Sequence, residues 1–331
     1  MSELRKEPIT GRWVIVTAEG GRRRRAPASV PSSEMSKEIC PFCPGNEDKT
    51  PSEILVYPGN GGPSRWRLRV VPNKFPVLRI EAGLDKEGDG IYDRMNGMGA
   101  HEVIIETPNH TETLSKMAPE GMEDVLLSYR DRILDLRRDP RLEYFLIFKN
   151  YGPAAGAQLE HSHSQLIALP VIPKKVMEEV KGAGRYFRYR DRCIFCDIIR
   201  QEIQTVARVV EESSDYIAIA PYASLFPFEV WILPKKHEPC YETASYEQVR
   251  LLGRIFSVIL KKLEQGLSNP AYTFVLHTSP VRLGASEFYH WHFEITPRIA
   301  WEAGFEWGSG FFINSVPPEE AARFLRDVEI P

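Results

Sequence analysis

The residues best placed to do chemistry are two histidines one residue apart, His161-Ser162-His163, followed by Ser164-Gln165. On a strand, residues i and i+2 face the same way, so His161, His163 and Gln165 share one side. One imidazole can then serve a metal while the next faces a pocket. A neutral imidazole with its other nitrogen tied to a carbonyl is a good nucleophile toward phosphorus. Gln165 can donate to a phosphoryl oxygen but cannot deliver a proton. The cysteines form a second pattern. Four of the five fall as C-x-x-C pairs, Cys40/Cys43 and Cys193/Cys196. CPFCPG (40–45) follows a Pro/Ser-rich stretch and reads as a metal knuckle in a loop rather than a redox turn. Each pair offers two thiolates, and Zn²⁺ takes four ligands, so two histidines are expected to complete each set.

The elements that must hold these groups repeat. Glu102–His110 (EVIIETPNH) and Glu229–His237 (EVWILPKKH) both run Glu-Val, apolar strand, Pro, His, with the same eight-residue offset. Each terminal His is followed by a His-x-His, at 161/163 and 290/292. The order C-x-x-C, strand to His, His-x-His therefore occurs twice, as an internal duplication. Met122, Val125, Leu126, Tyr129, Ile133 and Leu136 recur at helical spacing, as do Val249, Leu252, Phe256, Ile259 and Leu263. Ser245-x-x-Gln248 predicts a capping box for the second helix. Apolar strands at 142–150 and 271–279 follow the helices. The expected fold class is α+β, with tandem halves that are each a mostly antiparallel sheet with a helix packed on it. The expected division is a catalytic half at 1–170, a polar, basic linker at 171–192 and a second half at 193–331.

Composition excludes more than it specifies. The chain has 331 residues, 42 Lys plus Arg against 45 Asp plus Glu, and a formal charge of −3. That balance argues against nucleic acid held by bulk electrostatics. No apolar run approaches the ~18 residues that span a bilayer, so no membrane partner is expected. The start, MSELRKEPITGRW, lacks the apolar core of a secretory signal, and a cytoplasmic location is expected. Arg22 to Arg25 read as a solvated loop or as a clamp for substrate phosphate across a dimer. His101 reads as a surface residue without a counterpart in the second half. His277 stands where the first half has Asn150, with core packing and metal proximity both open.

Taken together these motifs resemble the galactose-1-phosphate uridylyltransferase family, a branch of the histidine-triad superfamily. RKEPITGRWVIVTAEGGRRRRAP (5–27), CPFCPG, VPNKFPVL (71–78), HEVIIETPNH (101–110) and FKNYGPAAGAQLEHSHSQ (148–165) follow in the family's order, as do YASLFPFEVWILPKKH (222–237), HTSP (277–280), HWHFEITP (290–297) and AGFEWGSGFFIN (303–314). The resemblance implies histidine-triad-like halves and a ping-pong nucleotidyl transfer. His163 matches the nucleophile, Gln165 a donor to the phosphoryl group, and Asn150 a residue near the phosphates. Asn73 and Gly156 fall in matching substrate-binding segments. Cys40, Cys43, His110 and His161 match a zinc set, and the duplication gives Cys193, Cys196, His237 and His290 as a second. GFEWGSG (304–310) matches a sugar-contacting loop, with Glu306 toward hexose hydroxyls and Phe305, Gly308 and Gly310 beside it. The implied partners are a nucleotide-sugar and a hexose 1-phosphate, and a homodimer with shared active sites. Uridylyl transfer from UDP-glucose to a hexose 1-phosphate, as in galactose metabolism, is the first expectation. Ser162 and Gln158 depart from the commoner pattern toward a branch that includes ADP-glucose phosphorylase, which is the alternative. A hydrolase is disfavoured by Gln165 in place of a third histidine. A zinc-stapled nucleotide-binding module without catalysis is the reading from another class.

Overall fold

Short apolar runs bounded by Gly, Pro and polar turns become strands here, and the two amphipathic segments become the long helices. The computed structural model describes residues 2–17, 36–59 and 65–330. In chain order the elements are β1 (Glu3–Lys6), β2 (Trp13–Val16), β3 (Leu55–Pro58), β4 (Trp66–Pro72), a small ribbon of β5 (Glu87–Asp89) and β6 (Tyr92–Arg94), β7 (Ala100–Ile105), α1 (Pro119–Leu136), β8 (Tyr144–Tyr151) and β9 (His163–Leu169). The second half adds α2 (Lys174–Arg190), α3 (Ile194–Thr205), β10 (Val209–Glu212), β11 (Tyr216–Ile219), β12 (Val230–Pro234), α4 (Tyr246–Gly266), β13 (Tyr272–His277), β14 (His292–Pro297), α5 (Gly304–Ser309), β15 (Phe312–Asn314) and α6 (Pro318–Arg326). The class is α+β, as expected. The segment 171–192, read as a linker, carries α2, and Val176, Glu179, Val180 and Ala183 on it are buried.

Ten strands form one sheet in the order β10-β11-β12-β14-β13-β8-β9-β7-β4-β3, with every neighbouring pair antiparallel. From the outer edge inward, the halves run β3-β4-β7-β9-β8 and β10-β11-β12-β14-β13, and they meet where β8 pairs β13. One face of the sheet carries α1 and α4, which pack on each other and share a single apolar core. Phe256 of α4 meets Phe274 and Phe293 at ring distances of 5.3 and 5.0 Å. Each such fully buried side chain contributes roughly 1.5–3 kcal/mol. The predicted capping box forms, with Ser245 and Gln248 exchanging backbone and side-chain hydrogen bonds. The opposite face carries the two Cys-x-x-Cys segments, with α2 and α3 over the second half.

The register defines the duplication more finely than spacing does. Val71, Val103, Gln165 and Phe148 lie in one row across the first half. Ile219, Trp231, Glu294 and Val275 form the matching row in the second. Trp231 thus stands for Val103, and Glu229, two residues back, stands for His101 rather than for Glu102. The equal eight-residue offsets hide a one-residue shift that the following turn takes back.

Candidate active site and metal centres

His161 ends the loop before β9 and His163 begins the strand, so the pair straddles a loop-to-strand junction. His161 Nε2 donates to the Thr107 carbonyl at 2.7 Å, which leaves Nδ1 as the free lone pair. That Nδ1 stands 3.6 Å from Cys40 Sγ and 3.5 Å from Cys43 Sγ, and His110 Nδ1 lies 3.2 Å from Cys43 Sγ. Ligands held ~2.0–2.3 Å from a tetrahedral zinc sit about 3.5 Å from one another. All four residues are buried, and their donor atoms lie within 4.8 Å of each other. The Cys193, Cys196, His237 and His290 set meets the same limit. There, His237 and His290 donate from Nε2 to the carbonyls of Ser286 and Pro234 and present Nδ1 to Cys196 Sγ at 3.5 and 3.7 Å. Both predicted sets therefore converge, and their soft S₂N₂ donors suit zinc. Burial holds the His161 imidazole neutral, down to about 4, and pushes the Cys43 thiol up to about 11. A hydrogen bond from Cys193 holds the Cys196 thiol down to about 3.

His163 takes the opposite tautomer. Its Nδ1 donates to the His161 carbonyl at 2.8 Å. Its Nε2 has no hydrogen-bond partner among the described residues and keeps its lone pair. Burial, and then the nearby Lys149 charge, hold the imidazole below its ordinary range. His163 borders a cavity of about 870 Å³, together with Gln165, Asn73, Asn150 and Gly156. Gly156 sits at φ +88°, a left-handed turn that carries the chain past the Asn150 amide. Gln158 lines the same cavity.

Two groups that the sequence reading did not place at the site support this arrangement. His101, expected at the surface, is 9% exposed and lines the cavity. The Val77 amide donates to its Nδ1 at 3.3 Å, and its Nε2 lies 2.8 Å from Gln165 Oε1 and 3.1 Å from Asn73 Nδ2. The Gln165 amide nitrogen has no hydrogen-bond partner among the described residues and can meet a ligand oxygen. On the far face of the strand, Lys149 Nζ, 2% exposed, donates to Glu106 Oε2 at 2.6 Å, Ser162 Oγ at 3.0 Å and the His163 carbonyl at 2.9 Å. Ser162 and Ser164 both donate to Glu106. The unusual Ser162 thus joins a buried ionic network that fixes the backbone of the histidine pair. Strand alternation in Lys149-Asn150 and Ser162-His163-Ser164 was the available signal.

Phe305, Glu306, Gly308 and Gly310 are not brought to this cavity within the chain. They lie on and just after α5, next to β15 and the small β1-β2-β15 sheet. Glu306 Oε2 accepts from the Ala303 amide and caps its own helix. Arg22 to Arg25 lie outside the described residues. His277 is a buried partner of carboxylates, with Nδ1 3.0 Å from Glu179 and Nε2 3.4 Å from Glu294, and it stacks on His292 at 4.8 Å. No described helix is long and apolar enough to cross a membrane.

Comparison with known proteins points the same way along the whole chain. The profile for the galactose-1-phosphate uridyl transferase N-terminal domain matches residues 1–173, and that for the C-terminal domain matches 179–302. ADP-glucose phosphorylase of Arabidopsis thaliana is 35% identical over 334 residues, covering 99% of this chain and 93% of its own. Galactose-1-phosphate uridylyltransferase of Thermotoga maritima is 29% identical, covering 100% of this chain and 99% of its own. The crystal structure of the Arabidopsis ADP-glucose phosphorylase with bound ADP-glucose superposes with a TM-score of 0.86 at 34% identity, covering 100% of both chains. A solved uridylyltransferase gives 0.78 at 27% identity, covering 98% of this chain and 97% of its own.

Proposed function

This chain belongs to the galactose-1-phosphate uridylyltransferase family of nucleotidyltransferases, and from that premise we propose a two-step transfer through His163 with ADP-glucose as the favoured nucleotide-sugar and UDP-glucose second. The observation that carries the mechanism is the unpartnered His163 Nε2 beside the Gln165 amide at the cavity wall. In the first step Nε2 attacks the α-phosphorus. The P–N bond forms as the bond to the sugar 1-phosphate oxygen breaks, and the electron pair leaves with that oxygen. No general acid is needed, because a phosphate monoester with a second pKa near 6 departs as a stable anion. Gln165, oriented by His101, donates to the phosphoryl oxygen where charge grows. The His161 carbonyl takes up the positive charge at Nδ1–H. In the second step a phosphate oxygen of the acceptor attacks the same phosphorus, and the electron pair returns to Nε2.

ADP-glucose is placed first because the Arabidopsis phosphorylase is 35% identical over almost the full chain against 29% for the Thermotoga uridylyltransferase. The HSHSQ motif, with Ser162 in the Lys149–Glu106 network, supports the same ordering. The acceptor is then inorganic phosphate. With UDP-glucose as donor, it is a hexose 1-phosphate. Zinc at the two Cys₂His₂ sets is structural in this reading: it ties the Cys40–Cys43 loop to the approach to β9 and suits a reducing, cytoplasmic setting. Phe305 and Trp307 are 44% and 78% exposed, away from the chain's own cavity. A homodimer that brings α5 of a second copy to each cavity supplies the sugar contacts.

Incubation of the zinc-loaded protein with ADP-glucose or UDP-glucose carrying α-³²P tests this reading. Acid-labile label on the wild type, stronger from ADP-glucose, and none on His163→Ala with its zinc retained is the expected result. Label from UDP-glucose alone would reverse the donor order. Label persisting on His163→Ala would remove His163 as nucleophile.

A further inference from the structure

A cavity of about 520 Å³, within the size range of small-molecule sites (~300–1,000 Å³), lies between the second half and the amino-terminal residues Lys6 to Pro8, in a position set by the duplication. Several of its walls correspond to walls of the first-half cavity. Ile194 follows the first cysteine of its knuckle as Pro41 does. Ile219 stands for Val71, Pro221 for Asn73, and Trp231 for Val103 by strand register. All eight line one cavity or the other.

The end that would hold phosphate has been closed. His292, the counterpart of His163, is 1% exposed. Trp231 packs on it at 5.1 Å, Phe195 at 5.2 Å and His277 at 4.8 Å. Glu294 replaces Gln165 and is held by Lys175 at 2.8 Å. The open remainder lies on the outer side of Trp231, lined by Ile194, Ile198 and Ile219 and by Tyr186. Its guanidinium is committed: Arg208 binds Glu202 Oε1 at 2.9 Å and Glu319 at 2.9 Å. Glu202 is 3% exposed, and its Oε2 has no partner among the described residues. A buried acceptor of this kind is costly until a donor reaches it.

We propose that this cavity is a second, non-catalytic site for an uncharged nucleoside whose base carries an exocyclic amino group, with Trp231 and the isoleucines against the base and Glu202 Oε2 accepting from the amino group. Phosphate is disfavoured, because the carboxylates of Glu7, Asp197 and Glu202 outnumber the cations of the lining, Lys6 and the ion-paired Arg208. The identification of the ligand as a nucleoside rests on the first cavity being the nucleotide cleft.

The test is adenosine binding to the zinc-loaded protein, followed by calorimetric titration and by crystal soaking, with inosine and AMP as comparisons. Adenosine is expected to bind and AMP to bind this site more weakly. In Glu202→Gln, Arg208 retains the amide oxygen and turns the NH₂ into the cavity. Adenosine should then weaken by about tenfold while inosine, with an acceptor at that position, strengthens. Ile198→Trp should fill the cavity and abolish binding, and His163 labelling should persist in both variants. No binding of adenosine at millimolar concentration, or density for it only beside His163, would overturn the inference. So would equal binding in wild type, Glu202→Gln and Ile198→Trp. Failure here with normal His163 labelling strikes only the second site. Loss of labelling with adenosine still bound beside Trp231 strikes the transfer mechanism instead.

Discussion

Both halves set a Cys-x-x-Cys segment under a His-x-His strand, with a phenylalanine of the knuckle against the second histidine: Phe42 is 5.3 Å from His163 and Phe195 is 5.2 Å from His292. They differ in what covers that histidine. In the first half Val103 is small, no helix lies above the strand among the described residues, and His163 opens on a cavity. In the second, Trp231 and α2 fill the space, and Glu179 and Lys175 from α2 neutralise His277 and Glu294. The same scaffold thus leaves an open cleft when uncovered and makes a core when covered. The metal sets, being beneath the strand, survive in both.

The largest test of this comparison is the metal. Two zinc ions per chain are expected, and Cys43→Ser and Cys196→Ser should each lose one. Structural zinc carries much of a small site's folding energy, so either change should cost on the order of 5 kcal/mol or more in denaturant unfolding. Only Cys43→Ser should also lower turnover of the folded fraction. Full stability after verified zinc loss would break the structural reading.

Exchanging the distinguishing residues comes next. Gln165→Glu gives the first half the second half's motif and sets a carboxylate against the phosphoryl group. We expect kcat to fall by about 10²–10³. Glu294→Gln should leave turnover nearly unchanged but destabilise the fold by roughly 1–2 kcal/mol, because buried His277 loses a carboxylate while the half-exposed Lys175 is rehydrated. Equal effects of the two changes on catalysis would remove the assignment of one reactive half.

The covered half should also announce itself through pH. Burial alone would lower the His277 imidazole, but the Glu179 and Glu294 carboxylates outweigh it and raise it to about 9 from an ordinary 6.5. Its contribution, up to about 3 kcal/mol, is complete below pH ~6.5 and is lost as pH rises through about 9. His277→Gln should flatten that part of the stability profile. The smallest effect is expected at His101. His101→Phe removes the polar partner that orients Gln165 and should lower kcat roughly tenfold with KM little changed, and His101→Gln should recover part of the loss. A change in KM alone would assign His101 to substrate binding instead of positioning.

The duplication, both metal sets and the His163–Gln165 pair were legible because each follows from residue type and short-range spacing. His101 was not. Two Glu-Val-strand-His segments of equal length align by spacing in a way that pairs Glu102 with Glu229. Only the hydrogen-bonded register, with Val103 opposite Gln165 and Trp231 opposite Glu294, reveals the offset. The closure of the second half was hidden for a related reason. KKVMEEVKGAG (174–184) reads as polar and basic, and nothing local says that Lys175 and Glu179 meet residues about a hundred positions later. Placement of 304–310 was equally out of reach, since β15 beside it pairs β2 from the other end of the chain.

The β8–β13 pairing makes the halves inseparable in a way that a two-domain description conceals. Cut between them, each half would present a long, flat, unpaired edge at its apolar centre, the surface that invites aggregation. Asn150 lies on that seam, with its Oδ1 accepting from Thr273 Oγ1 of the other half at 3.3 Å. The half with the open cleft therefore borrows rigidity for Asn150 from the half whose cleft is filled. Such a seam gives the covered half a mechanical role even though its own His292 is sealed.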